Sequence, residues 1–154
     1  MIEPAYAALA DAIAADLVAA DFLPSAEVME VDPSSPFTPT GDERQLVRAA
    51  ALVKVGTGVV RTLLGRAAPR YVVERQCRLE LALAGPARLL RDEIADNALA
   101  RLAQLPARLP TLDGVAERLT LGEQTDDELP PNGISLFLTF TIRVRSGDPL
   151  GRTA

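Results

Sequence analysis

The sequence contains no histidine and no tryptophan, a single cysteine, and only 4% aromatic residues. Without histidine, Ser-His and Cys-His nucleophilic catalysis are excluded, and zinc loses its commonest ligand. Cys77, alone, cannot form an internal disulfide, which fits a reducing compartment such as the cytoplasm. With so few aromatics, the core of these 154 residues must be built from Leu, Val, Ile and Ala. Lysine is nearly missing as well: of sixteen basic residues, only Lys54 is a lysine. No apolar run approaches the roughly 18 residues of a membrane span. No basic stretch precedes an apolar one after Met1, so no signal peptide is expected. A net charge of −5 disfavours a freestanding nucleic-acid binder, because phosphate affinity comes from clustered Lys and Arg.

What is present suggests one globular domain, with 48% hydrophobic and 24% charged residues. Its clearest stretch is Ile134 to Arg145. Leu136, Leu138, Phe140, Ile142 and Val144 share one parity; Ser135, Thr139, Thr141, Arg143 and Arg145 share the other, with only Phe137 out of place. A period of two predicts a half-buried strand. Tyr71 to Leu83 reads the same way, with Tyr71, Val73, Cys77, Leu79, Leu81 and Leu83 on one face and Glu74, Gln76, Arg78 and Glu80 on the other. Cys77 then reads as a small core residue rather than a nucleophile.

Two helices are expected. After Pro4, residues Tyr6, Leu9, Ile13 and Leu17 recur at three and four, and the helix ends before Pro24. Asp11, Asp16 and Asp21 lie mostly off that face. After Gly85-Pro86, residues Leu90, Ile94, Ala98 and Leu102 form a stripe widened by Ala95, Leu99 and Leu105, and closed by Pro106 and Pro110. Ala26 to Val31 reads as a short strand. Residues 42–55 are ambiguous between a helix and a strand Ala50 to Val55 that stops at Gly56, with the strand preferred. Val59 to Leu64 is a further short apolar run. Val115 to Glu123 alternates and is followed by a polar loop, 124–133, so the last two strands form an antiparallel hairpin. Helices with one apolar stripe and strands with one apolar face pack best as two helices on one face of a mainly antiparallel sheet. That is an α+β domain over residues 1–145, with a mobile tail at 146–154.

Nothing in the sequence nominates an active site, and no catalytic residue, cofactor or metal is expected. Gly56-Thr-Gly58 matches half of a dinucleotide fingerprint, with Glu80 downstream, but Arg61 stands at the third glycine position; a turn is the better reading. Asp126, Asp127 and Glu128 lack the spacing and the glycine of a calcium loop and read as a solvated acidic loop or a docking surface. Pro33, Pro36 and Pro39 could present a polyproline II ligand, though a stiff surface loop is favoured. Arg143 and Arg145, on the polar face of the last strand, could enter a subunit interface with acids such as Asp126 and Asp127 of a neighbour.

Three stretches carry a family resemblance: Arg70-Tyr-Val-Val-Glu-Arg-Gln-Cys-Arg-Leu-Glu-Leu81, the Arg91-Asp-Glu-Ile94 helix, and the ending Phe140-Thr-Ile-Arg-Val-Arg-Ser-Gly-Asp-Pro-Leu-Gly151. With the order helix, strands, long strand, helix and hairpin, the chain resembles the tail terminator proteins of long-tailed phages, especially those of alphaproteobacterial prophages and gene transfer agents. The segment from Asp32 to Gly41 has no counterpart in that pattern. The resemblance implies a non-enzymatic virion protein, assembled in the host cytoplasm. It would form a hexameric ring at the head-proximal end of the tail, contacting the tail tube protein and a head-completion or stopper protein. DNA would pass through without specific binding, which suits an acidic chain. The same class includes stoppers and tail completion factors; a small ligand-binding α+β domain is the reading from a different class.

Overall fold

The computed structural model describes residues 2–31, 47–63, 70–84, 88–129 and 133–146. Helix α1 (Ile2–Ala19) is followed by a single 3-10 turn (Ala26–Val28) and strand β1 (Glu30–Val31). Strands β2 (Val47–Leu63) and β3 (Arg70–Ala84) come next, then helices α2 (Arg88–Ala103) and α3 (Leu105–Arg108). Strands β4 (Arg118–Leu129) and β5 (Gly133–Ser146) complete the order. The five-stranded sheet runs β1-β2-β3-β5-β4; every pairing is antiparallel except β1 with β2. This is an α+β fold, mostly antiparallel.

β5 lies between β3 and β4 and sets the core. Its partners on β3 match apolar to apolar: Cys77 faces Phe140, Leu79 faces Leu138 and Leu81 faces Leu136. Residues directly opposite share a face of the sheet, so these six make one apolar surface. All are buried, as are Ala50 and Leu52 of β2 beside them. Tyr6, Leu9, Ile13 and Leu17 of α1, and Ala95, Ala98 and Leu102 of α2, join the same cluster. Both helices therefore cover this face. The Tyr6 hydroxyl donates to the Leu52 carbonyl oxygen at 2.8 Å. Lys54 lies over the Tyr6 ring and pairs with Glu3 at 2.7 Å, fixing the start of α1 against β2.

The end of α1 is set by its own cap rather than by Pro24. Asp21 adopts φ 57°, the left-handed conformation, and Phe22 N–H donates to Leu17 O while Asp21 N–H donates to Val18 O. That pair of bonds is a Schellman motif, and its usual apolar contact is supplied by Phe22 and Leu17, both fully buried.

Several sequence expectations change. β2 does not stop at Gly56; it runs on to Leu63, with a register shift between Val55 and Val59 where the glycines lie. The two apolar runs read separately are one strand, held by pairing with β3 on both sides of the irregularity. The 26–31 stretch is a 3-10 turn and a two-residue strand rather than one strand. Pro106 does not end the helical region but sits at the start of α3. The polar stretch from Gln124 is not a loop: β4 continues to Leu129. The proline-spaced segment and the C-terminal tail from 147 lie outside the described residues.

Candidate functional site: the acidic outer half of β4

β4 has two unlike halves. Its first half follows the core: Leu119 pairs with Ile142 and Leu121 with Phe140, and Leu119 is buried. After a register shift between Leu121 and Gln124, every residue from Gly122 to Glu128 is exposed. Gln124, Asp126 and Glu128 pair with Leu138, Leu136 and Ile134, on the face the helices cover elsewhere. Thr125 and Asp127 pair with Phe137 and Ser135 on the other face. This half is polar on both faces, so burial cannot be what keeps it extended; its ladder to β5 does. β4 is also the last strand of the sheet, so its outer backbone groups face away from every described strand.

The acids themselves make few contacts. The Asp127 carboxylate accepts from the Glu128 backbone N–H at 2.9 Å, a local bond. None of Asp126, Asp127 and Glu128 forms an ion pair with a described residue. Among the described residues, no group of three or more His, Cys, Asp or Glu is placed to hold a metal ion.

Arg143 and Arg145 lie far from these acids. Arg118 pairs with Arg143 and Asp127 with Ser135, so the two patches sit at opposite ends of the hairpin. At ~3.3 Å per residue, Ser135 and Arg143 are about 26 Å apart along β5. The arginines have acidic neighbours of their own. Arg145 Nε donates to Glu117 Oε1 at 2.8 Å, and Arg143 Nε lies 3.6 Å from Glu117 Oε2. The Glu117 backbone N–H donates to the Arg143 carbonyl at 2.8 Å, which fixes its side chain between the two. Glu74 stands opposite Arg143 on β3. The arginine patch is thus partly neutralised within the chain; the acidic patch has no ion pair among the described residues.

Other sequence candidates resolve in structural terms. Gly56, Thr57 and Gly58 lie within β2, antiparallel to β3, and Arg61 continues the same strand. A phosphate cradle needs such glycines between a strand and a helix, so this segment has the wrong context for one. Cys77 is fully buried against Phe140.

One charged residue was missed by the periodicity of α1. Asp16 is buried, accepting from Arg101 Nε at 3.1 Å and from Arg108 Nη2. The acid ties α1 to α2 and α3. Its position three residues after Ile13 places it at the edge of the buried stripe, but only the arginines from 101 and 108, distant in sequence, make burial tolerable.

No protein-family model matches the sequence, and no curated protein matches it. Among solved structures, the chain is similar to one described as "Virion of native gene transfer agent (GTA) particle", at 14% sequence identity and a TM-score of 0.38, over 84% of this chain and 84% of that one. A likeness of that degree fixes no role.

Proposed function

We propose that this chain is a non-enzymatic structural subunit of a virion, most specifically the tail terminator of a long-tailed phage or gene transfer agent. In this reading its copies form a ring at the head-proximal end of the tail tube, end tube polymerisation and present a surface to a head-completion protein. The observation that carries the proposal is the outer half of β4, an exposed acidic strand that serves no core and no ion pair among the described residues. Rings need heterologous contacts, in which two different patches of each subunit meet. A strong acidic patch at one end of the hairpin and basic groups elsewhere on the sheet give each subunit unlike surfaces. The element order that the resemblance rests on is also the order of the fold.

Native mass spectra over a concentration series, with negative-stain images of the same samples, test the reading. Six-fold rings are expected. A stable dimer holding a small molecule would contradict it and favour a ligand-binding domain. A monomer throughout would confine assembly to contact with the tube.

A further inference from the structure

Among the described residues the sheet has a second uncovered edge, and the charged residues in its sequence are of opposite sign to those of outer β4. β1 covers β2 only at Ala51 and Leu52. Beyond that point, Val53 to Leu63 has no strand on its outer side among the described residues. This stretch carries Lys54 and Arg61 and no acid, whereas β4 from Gly122 carries Glu123, Asp126, Asp127 and Glu128 and no base. The two edges terminate opposite sides of one sheet and are of similar length.

We infer that the occupant of the acidic β4 edge is the Val53–Leu63 edge of a second copy of this chain, so that the sheet continues from subunit to subunit. This rests on the ring reading above and names its joint. Open edges normally invite pairing, and charge is a usual means of limiting it. Acids on β4 place like charges opposite one another in any β4–β4 pairing, which disfavours a closed two-fold dimer. They favour a strand of opposite sign. The same charges therefore block the wrong edge and select the right one. β2, β3, β5 and β4 alternate in direction. In a ring whose axis runs along the strands, β4 and the neighbour's β2 also run in opposite senses, so the joint is antiparallel like its neighbours. Arg61 is the residue to vary on β2, because a change at Lys54 would also remove its contacts with Glu3 and Tyr6.

The test uses the full chain. Thr125→Cys on β4 is combined with single cysteines scanned along β2 at Val53, Val55, Thr57, Val59 and Arg61, and the proteins are oxidised. A ladder of cross-linked oligomers that needs both cysteines is expected at neighbouring β2 positions of one register. In parallel, the triple variant Asp126→Lys, Asp127→Lys, Glu128→Lys should raise the concentration for half-assembly roughly tenfold or more, since like charges across a contact cost several kcal/mol. Adding Arg61→Glu to it should recover assembly. Cross-linked dimers from Thr125→Cys alone would overturn the joint. Rings that form while no β2 position cross-links would overturn it and leave the ring reading standing, as would recovery by Arg143→Glu with Arg145→Glu instead. A joint between two copies needs no third component. A chain monomeric at every concentration therefore overturns it even if the ring is assembled on the tube.

Discussion

β5 and the outer half of β4 are neighbours in one hairpin and opposites in chemistry. β5 places a buried apolar residue at every second position from Leu136 to Val144. From Gly122 to Glu128, β4 buries nothing. The first strand is extended because the core demands it; the second is extended because it is paired to the first. A segment that stays ordered without contributing to the core is free to be selected for contact with something else, which is the role proposed for it above.

If that division is right, the two strands should fail differently. Phe140→Ala, on the core side, removes a fully buried ring opposite Cys77 and should cost about 3–5 kcal/mol. In a chain of this size that lowers Tm by roughly 10 °C or more in a thermal melt. Asp16→Ala leaves Arg101 and Arg108 without their shared acid and should cost about 2–3 kcal/mol, less than for a fully buried pair because both arginines are half-exposed. Asp16→Asn should lie between that variant and the wild type. Asp21→Gly works in the opposite direction. It relieves a left-handed non-glycine residue in the α1 cap and should stabilise the chain by about 0.4–1 kcal/mol in denaturant unfolding. Smallest of all should be the effect of lysines at Asp126, Asp127 and Glu128 on monomer stability, within ~0.5 kcal/mol, as for exposed residues generally.

The sequence made some of this legible for physical reasons that can be named. β3, β5 and α1 could be read from period alone, because each has one buried face and one wetter one. β4 beyond Leu121 could not, since Gln124 to Glu128 is polar at every position and looks like a loop until its partner strand is known. β2 was divided in two by Gly56 and Gly58, whose low strand propensity is overridden by pairing with β3 on either side. The acids of the candidate site were visible as a cluster, but their setting on the outermost of the described strands was not. The arginines were visible as a face, but the Glu117 that engages both lies outside their strand and only the fold brings it there. Asp16 shows the same limit: one helix's periodicity does not reveal which charges another helix brings.

The most direct test is to measure folding and assembly on the same samples of the Asp126→Lys, Asp127→Lys, Glu128→Lys variant and the wild type. Thermal melts would be followed by native mass spectra at matched concentrations, under conditions where the wild type forms oligomers. The account predicts a monomer melting within about 2 °C of the wild-type monomer, together with loss of the oligomers. A variant that melts much lower yet assembles as well as the wild type would contradict it, since the outer half of β4 would then serve the fold and not the contact.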